Sequence, residues 1–243
     1  MMHALNVFAV AVRGGAMAGA LALALLPAAA WSAGVVPETS LVVVEEGDGE
    51  GVINVKNTDA HASLMYVRLE NLPEDPEQLL LATPPISRVE GGEKQLVRFL
   101  LKSPQPLRTE RLMRASFEGI PAVSADKGHR IQMTFNQNLP VLIRPKGLPR
   151  EREPWTKLQW SQAENGKLEV KNDSPYVVRL STHKVELQPG KQALELPKAY
   201  ILPGERLQLE PAGQALPLDA THVKLWPATS YGYAMDSFTA SLN

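Results

Sequence analysis

A long run of alternating apolar and polar residues between Arg130 and Pro145 constrains the fold of this chain more than any other feature. Side chains of a β-strand point alternately to its two faces, so this period of two predicts one strand with an apolar row and a polar row. At about 3.3 Å per residue the run would span roughly 50 Å, whereas ordinary strands contain about five or six residues. We therefore expect part of the strand to extend beyond its own sheet, or to bend near Pro140, which cannot donate to a ladder. The apolar row contains Ile131, Met133, Phe135, Leu139, Val141 and Ile143, with Gln137 in the same register.

This long strand has two interpretations. An ordinary core strand of a β-sandwich would bury its apolar row inside its own domain. A strand that outruns its sheet would leave part of that row uncovered, and an uncovered apolar row on an extended strand favours pairing with a partner. The alternation by itself leaves both interpretations open.

Residues 1–33 have the pattern of a signal peptide. Arg13 precedes the apolar run Ala16–Ala30, which ends in small residues of the kind found at cleavage sites. A membrane anchor is the competing interpretation, but the run is shorter than the roughly 20 apolar residues that cross a bilayer, and Pro27 interrupts it. We therefore expect an exported mature chain without a membrane span.

Composition narrows the classes of partner and the source of stability. The sequence contains no cysteine, so an exported domain of this kind must be stabilised by core burial and not by disulfides. Its 25 basic and 26 acidic side chains give a formal net charge of −1. This balance argues against nucleic acid or an anionic membrane surface as the main partner.

The first half of the mature chain reads as a series of short strands separated by turns, with no helical periodicity between them. Turn residues such as Glu46–Gly51 and Gly91-Gly92 separate apolar or alternating segments, and Ile120–Gly128 is expected to form a long loop before the alternating run. Such a series predicts an antiparallel sandwich of the immunoglobulin type. The expected strands are Leu41–Val44, Val52–Val55, Leu64–Leu69, Leu79–Ala82, Ile86–Val89, Gln95–Leu101 and Leu112–Phe117.

The second half predicts another, smaller β-sandwich. A connection rich in proline and glycine, followed by the charged run Arg150–Glu153, marks a domain boundary, so we expect domains at 34–146 and 147–243. The two halves share the same strand-and-turn pattern, although no repeat can be aligned between them. The expected strands of the second half are Leu158–Trp160, Lys167–Val170, Val177–Leu180, Lys184–Leu187, Ala193–Leu196, Arg206–Leu209, Val223–Trp226 and Phe238–Leu242.

Nothing in the sequence has the pattern of a catalytic, cofactor or metal site. The strained G-x-S-x-G turn of many hydrolases is absent, and neighbouring carboxylates such as Glu45 and Glu46 would point to opposite faces of a strand. No histidine has a second ligand-type residue at metal spacing. We therefore expect no enzyme activity and no cofactor; a β-sandwich glycosidase would need carboxylates that converge in a cleft. The isolated histidines are His61, His129, His183 and His222.

Several motifs, in the same order and spacing, resemble the periplasmic chaperones of chaperone–usher pili, the PapD-like family. The resemblance extends over essentially the whole mature chain and does not identify the pilus. The motifs are Ala82–Gly92 (ATPPISRVEGG), Gln95–Phe99 (QLVRF), Glu110–Pro121, Leu139–Pro145 (LPVLIRP), Asn172–Val178 (NDSPYVV) and Tyr231-Gly232.

The resemblance implies two immunoglobulin-like domains in a boomerang arrangement. It also implies that the last strand of the first domain donates alternating apolar side chains to a pilus subunit that lacks its own final strand, which is donor-strand complementation. The chain would then fold and cap fimbrial subunits in the periplasm and deliver them to an outer-membrane usher. The implied subunit-binding residues are Ile131, Met133, Phe135, Gln137 and Asn138, whereas Leu139, Val141 and Ile143 would stay in the chain's own domain.

The chain departs from the family in its basic cleft residues. The family anchors the subunit's terminal carboxylate with an arginine of the first strand and a lysine of the donor strand. The matching positions here hold Ser40 or Leu41 and Pro140. The resemblance leaves Lys146, the neutral donor Asn138, or no group at all in this role.

The family also orients its two domains with a charge network. Glu110 and Arg144 match two members of that network, so the resemblance implies a domain-orienting role for them. The family's acidic residue before Tyr231-Gly232 is replaced by Ser230, which predicts a differently set hinge.

Two alternatives stay open. A secreted adhesive or structural module with two immunoglobulin-like domains would cover the apolar face of residues 131–135 within the chain and would retain no subunit. A chaperone fold without activity is the other. If the strand is free, we expect self-association, or coverage by the loop Ala122–Gly128, when no subunit is bound.

Overall fold

The computed structural model of the protein describes residues 34–121, 136–163, 166–209 and 219–243. These ranges contain seventeen β-strands and one 3₁₀ helix, Pro154–Lys157, which confirms the all-β fold predicted from the sequence. Predictions for the signal peptide, for the loop Ala122–Gly128 and for Ile131, Met133 and Phe135 concern residues outside the described ranges. Within those ranges, no helix is long and apolar enough to cross a membrane.

The first half forms a nine-stranded arrangement in the order β5-β7-β3-β2-β9-β8-β4-β6, with β1 paired to β3. The strand β2 pairs with β3 at Glu45↔Glu50 and runs parallel to β9 from Val42↔Val141 to Glu45↔Arg144. Because β2 joins β3 to β9, the strands form one continuous ladder around a shared core. The strands are β1 (Val35–Pro37), β2 (Val42–Glu45), β3 (Glu50–Asn57), β4 (Ser63–Glu70), β5 (Leu80–Thr83), β6 (Ile86–Val89), β7 (Lys94–Leu101), β8 (Arg111–Pro121) and β9 (Asn136–Arg144).

The alternation of residues along the strands determines which side chains of this half enter its core. In β3, Ile53 and Val55 are buried and the intervening Asn54 is only partly buried. Phe99 of β7 and Phe117 of β8 meet edge to face, with ring centroids 6.4 Å apart and planes at 73°. Contact between an aromatic ring on β7 and one on β8 shows that these two strands pack across one core, as in a sandwich.

The strand β9 divides its side chains between two environments. Val141 and Ile143 are fully buried in the core of the first half, and the partly buried Leu139 packs against that core. This confirms the expectation that these three residues belong to the chain's own domain. Leu142 points to the opposite side and joins a separate apolar cluster.

The β8–β9 ladder is continuous at Pro140, and the expectation of a loop that begins at Ile120 is wrong. The register between the two strands runs without a shift through Arg114↔Pro140. The missing N–H is tolerated because pairing with β2 begins one residue later, at Val141. Ile120 is also part of β8 and not of a loop, since β4 pairs with β8 as far as Ser63↔Pro121.

The second half packs two sheets around its own core. One sheet has the order β10-β11-β15, and the other has the order β13-β12-β16-β17 with β14 paired to β12. The two segments expected at Val177–Leu180 and Lys184–Leu187 form one strand with an irregularity between Leu180 and Val185. The strands are β10 (Gln159–Gln162), β11 (Leu168–Lys171), β12 (Val178–Gln188), β13 (Gln192–Glu195), β14 (Tyr200–Ile201), β15 (Arg206–Leu209), β16 (His222–Ala228) and β17 (Phe238–Ser241).

One buried asparagine occupies an equivalent place in each half. The side-chain amide of Asn57, the last residue of β3, donates to the carbonyls of His61 and Val89, both at 2.9 Å. The amide of Asn172, after β11, donates to the carbonyls of Tyr176 at 2.8 Å and Ile201 at 3.2 Å. Both side chains are fully buried. The two halves therefore share a structural device that sequence alignment within the chain did not show.

Candidate functional site

The described part of β9 offers an open strand edge. From Val141 onward β9 lies between β8 and β2, but from Asn136 to Pro140 its ladder partner among the described strands is β8 alone. A strand edge of this kind presents backbone N–H and C=O groups that can pair with another strand. The open edge runs from Pro140 to Asn136, the first described residue of β9.

Gln137 and Asn138, two of the residues expected to bind a subunit, lie on this edge. Gln137 is partly buried opposite Phe117 of β8, and Asn138 is exposed opposite Ser116. The amide nitrogen of Asn138 donates to Ser116 Oγ at 3.1 Å and to Glu70 Oε2 at 3.3 Å. The side-chain oxygen Oδ1 of Asn138 accepts a 2.5 Å hydrogen bond from Arg114 Nε. The Asn138 side chain is thus held by three neighbours on the same sheet.

Glu110 connects the two halves directly. Its carboxylate Oε2 accepts a hydrogen bond from the backbone N–H of Val177 at 2.9 Å, and its own N–H donates to the carbonyl of Pro175 at 2.8 Å. Arg144 Nε lies 3.5 Å from the other carboxylate oxygen. Burial raises the pKa of Glu110 above its usual value, although the Val177 N–H and the charge of Arg144 act in the opposite direction.

Arg144 extends this network to a second carboxylate. Its Nη1 lies 3.3 Å from Glu45 Oε1, which Arg150 also contacts at 3.2 Å. Glu110 and Arg144 therefore lie together, as the sequence predicted for domain-orienting residues. That role itself stays a prediction.

An apolar cluster surrounds these polar contacts between the halves. Four of its buried leucines come from the first half, while Val177 and Leu202 come from the second. Leu112 and Leu142 face each other in the β8–β9 ladder. This cluster, which we call the interdomain cluster, consists of Leu41, Leu72, Leu112, Leu142, Val177 and Leu202, with Val43 and Tyr200 packed against it.

Further contacts between the halves escaped the sequence analysis. Lys198 Nζ lies 2.6 Å from both Glu74 Oε1 and Glu205 Oε1, and the Tyr200 hydroxyl contacts Glu74 at 3.3 Å. Because Lys198 and Glu74 are 124 positions apart in the sequence, no local pattern signals their contact.

Two segments in which the chain departs from the expected pattern contact each other. Ser40 Oγ donates a 2.7 Å hydrogen bond to the carbonyl of Tyr231, and Arg179 Nη1 donates to the carbonyl of Ser230. Ser40, which with Leu41 is a candidate for the expected arginine position, therefore contacts the segment in which Ser230 stands where an acid was expected. A backbone carbonyl of that segment accepts the hydrogen bond from Arg179.

The described residues contain no group of three or more histidine, aspartate or glutamate side chains that could hold a metal ion.

Comparison with protein families gives two matches that cover most of the chain. Residues 34–149 match the N-terminal domain of PapD, a pili and flagellar-assembly chaperone family, and residues 153–239 match the C-terminal domain of the PapD pili assembly chaperones. The fimbrial chaperone YhcA of Escherichia coli K12, described as uncharacterised, is 42% identical over 211 residues, which are 86% of this chain and 91% of that protein. The chaperone protein FimB/FhaD of Bordetella pertussis is 28% identical over 235 residues, 90% of this chain and 92% of that protein.

Solved structures show the same fold. The CupB2 chaperone of Pseudomonas aeruginosa superposes with a TM-score of 0.64 at 21% identity, over 86% of this chain and 100% of that chain. The Salmonella enterica SafB chaperone, solved in complex with the SafA pilin, gives a TM-score of 0.67 at 17% identity, over 87% of this chain and 97% of that chain. These likenesses confirm the predicted pair of immunoglobulin-like domains.

The two family matches follow one another along the mature chain, and the 42% identical relative is itself a fimbrial chaperone. The family is one of assembly chaperones, and its fimbrial chaperones are periplasmic. The chain therefore belongs to the PapD family of fimbrial chaperones of the chaperone–usher type.

Proposed function

We propose that this chain binds, folds and caps fimbrial subunits by donor-strand complementation and delivers them to an outer-membrane usher. The observation that supports this most strongly is the open edge of β9 between Asn136 and Pro140, where β8 is the ladder partner among the described strands. A subunit strand that paired with this edge would continue towards residues 131–135. Its backbone hydrogen bonds would fix the register, and the apolar row would fill the subunit's groove.

The division of β9 supports the same mechanism. Val141 and Ile143 are committed to the chain's own core, which anchors the strand. The alternation in the sequence places Ile131, Met133 and Phe135 in the same row, ahead of the anchored part. Burying three such side chains in a subunit would contribute roughly 1.5–3 kcal/mol each before the costs of ordering and association.

Complexes formed by related proteins agree with a subunit as the partner. The SafB chaperone was solved with the SafA pilin, and the CsuC chaperone of Acinetobacter baumannii was solved with the tip adhesion subunit CsuE in a pre-assembly complex. We extend this type of partner to the present chain. Residues 1–33 would act as the signal peptide that takes it to the periplasm, and the domains would be 34–146 and 147–243.

We also propose that Glu110 and Arg144 orient the two domains. The backbone N–H of Glu110 donates to the carbonyl of Pro175, while its carboxylate accepts from the Val177 N–H and lies against Arg144. A subunit held on β9 would also lie beside the second domain only if the angle between the domains is fixed. A glutamate held by these three groups from both domains is suited to fixing it.

The experiment that tests the proposed function is a pull-down from the periplasm of cells that also express the genes neighbouring this gene. Wild type is compared with Met133→Asp, which would place an unpaired charge in the subunit groove, and with Thr134→Asp on the opposite face of the strand. We expect wild type and Thr134→Asp to retain small β-rich subunits and Met133→Asp to lose them.

Two results would contradict the proposal. Equal recovery with wild type and Met133→Asp would show that subunits bind another surface. Recovery with none of the three proteins would favour the secreted adhesive or structural module, or a chaperone fold without activity.

A further inference from the structure

Two arginines differ from the other described arginines in how their charge is balanced. Arg114 and Arg179 are both half-buried, yet neither forms an ion pair with any described residue. Arg108 and Arg152 also lack an ion pair with described residues, but both are exposed to solvent. The described arginines that do form ion pairs are Arg68, Arg88, Arg98, Arg111, Arg144, Arg150 and Arg206.

The two arginines lie at the margin of the interdomain cluster, one on each domain. Arg114 follows Leu112 by two positions on β8, and Arg179 follows Val177 by two positions at the start of β12. Residues two apart on an extended segment share a face, so both side chains lie on the face that carries the cluster. Tyr200, which packs against the cluster, is directly opposite Arg179 in the β12–β14 ladder.

Hydrogen bonds hold both guanidinium groups without neutralising them. Arg114 Nε and Nη2 donate to the side-chain and backbone oxygens of Asn138 at 2.5 and 2.8 Å, and Arg179 Nη1 donates to the carbonyl of Ser230. All three acceptors are uncharged. A guanidinium has five N–H donors, so most of the donors of the pair are left for another acceptor.

The carboxylate of Glu70 acts on Arg114 through space but forms no ion pair with it. The two carboxylate oxygens of Glu70 instead accept hydrogen bonds from Ser116 Oγ at 2.6 Å and from the Asn138 amide at 3.3 Å.

Electrostatics at the two guanidinium groups agrees with this arrangement. Burial lowers the pKa of Arg114 below its usual value. Burial, together with the positive charge of Arg114, lowers the pKa of Arg179 as well. The two cations therefore lie close enough to repel each other, and an anion that contacts both would relieve this repulsion.

We propose that Arg114 and Arg179 together bind a carboxylate of the fimbrial subunit, in place of the basic pair that this chain lacks at Ser40 or Leu41 and at Pro140. The planar guanidinium of arginine can donate two parallel hydrogen bonds to a carboxylate, and a protein partner can supply that carboxylate. The site lies beside Asn138 on the open edge of β9, where a bound subunit would be. This inference rests on the proposed function for the identity of the partner.

The two other candidates for this role are less suited to it. The amide nitrogen of Asn138 already donates to Glu70 and Ser116. Lys146 lies beyond the end of β9, where its backbone N–H bonds Glu46 Oε2 at 2.7 Å. Asn138 lies beside Arg114, but its amide carries no charge with which to hold an anion.

The first test needs no subunit. Protein labelled with ¹⁵N-arginine is titrated with N-acetylglycine, which carries one carboxylate, and with N-acetylglycinamide, which carries none. We expect the Nε–Hε resonances of Arg114 and Arg179 to shift saturably with N-acetylglycine, with a Kd of roughly millimolar, and not with the amide. The exposed Arg108 serves as the internal control. Unshifted resonances, or equal shifts with both compounds, would overturn the proposal.

The second test uses a fimbrial subunit that the wild-type chain retains in the pull-down. The double variant Arg114→Gln, Arg179→Gln is expected to retain at least about tenfold less subunit than wild type, because a charge-assisted bond is lost at each position. Arg108→Gln should retain as much as wild type. Thermal unfolding of the double variant shows whether it is folded, and equal retention by the folded double variant and wild type would overturn the proposal.

Extending the subunit's C-terminus by three glycines then separates two sources of the carboxylate. If the terminal carboxylate is the ligand, wild type retains as little of the extended subunit as the double variant does. If an acidic side chain is the ligand, wild type retains the extended subunit and the double variant still loses it. Should wild type retain no subunit of either kind, the proposed function fails, while the titration with N-acetylglycine still decides whether the anion site exists.

Discussion

The carboxylate of Glu110, at the start of β8, accepts a 2.9 Å hydrogen bond from the backbone N–H of Val177 in the other domain. Glu110 is 8% exposed, so this contact between a side chain and a backbone group of different domains is almost fully removed from water. Because a buried carboxylate must have partners, any change in the angle between the domains would leave Glu110 partly unsatisfied. The domain angle and the protonation of Glu110 are therefore coupled.

This coupling predicts how stability depends on pH. The pKa of Glu110 is raised in the folded protein, mainly by burial, so the folded state binds a proton more readily than the unfolded state. The contribution of this group to stability is present below its unfolded pKa of about 4.5 and is lost as pH rises through the folded pKa. The stability of wild type relative to Glu110→Gln should therefore increase as pH falls from neutral towards 4. Urea unfolding of both proteins at a series of pH values measures this, and a difference that decreases in acid would contradict it.

The contribution of Glu74 to folding stability should depend on pH in the opposite direction, increasing as pH rises. Burial acts to raise its pKa, but the hydrogen bond and charge of Lys198 outweigh burial and lower the pKa. Its contribution is present above the unfolded pKa and is lost as pH falls through the folded pKa. Glu74→Gln should therefore cost about 1 kcal/mol or less near pH 7, since the pair is partly exposed, and nothing at low pH. The same unfolding series with Glu74→Gln checks this, and a cost that grows in acid would show that Lys198 does not stabilise the carboxylate.

Gly51 should not tolerate a side chain. A Cβ at this position would lie 2.3 Å from the carbonyl oxygen of Val43 and 2.9 Å from Val44 Cγ2, where β2 meets β3. We expect Gly51→Ala to lower the free energy of unfolding by roughly 1–3 kcal/mol or more, because a backbone atom must move. Gly47→Ala, in the turn that precedes β3, is the matched control, since a Cβ there would meet Lys146 Cγ at an ordinary 3.7 Å. Equal unfolding midpoints for the two variants would refute the predicted difference.

The buried asparagines should be equally intolerant of a charge. Asn172→Asp replaces a donor with an acceptor that faces the carbonyls of Tyr176 and Ile201. Each carbonyl left unpaired costs about 1–3 kcal/mol. We expect Asn172→Asp to destabilise the second domain and Asn57→Asp to destabilise the first, each by this mechanism. Asp173→Asn, in the same turn but exposed, should have little effect. Thermal unfolding of all three variants gives the comparison, and unchanged melting of the Asn172 variant would be inconsistent with the hydrogen bonds described.

The sequence predicted what depends on local periodicity. Alternation located the strands, and it placed Val141 and Ile143 inside the first domain because a fixed period of two leaves no choice of face once one residue is buried. It missed the short strand at Tyr200–Ile201, whose two residues are too few to show a period. It also divided β12 in two, since the irregularity near Leu180 interrupts the alternation.

The residues of the candidate site could be predicted only where a local sequence pattern or a family motif contains them. Gln137 and Asn138 follow from the strand, and Glu110 and Arg144 from the resemblance to the family. The placement of Arg114 and Arg179 at the margin of one cluster depends on how the two domains pack, and 65 positions separate the two residues in the sequence. Contacts of this kind arise from tertiary structure, for which a single sequence carries no periodic signal.

Amide hydrogen exchange on the chaperone, free and in a purified complex with a fimbrial subunit, tests the central claim most directly. Donor-strand pairing predicts that alternate amides of residues 131–135, those that face the subunit strand, become strongly protected when the subunit binds, because they acquire partners in the new ladder. Amides of residues 141–144, already paired with β2 and β8, should be protected in both states. Unchanged exchange at 131–135, with new protection on another surface, would contradict donor-strand complementation by this chain.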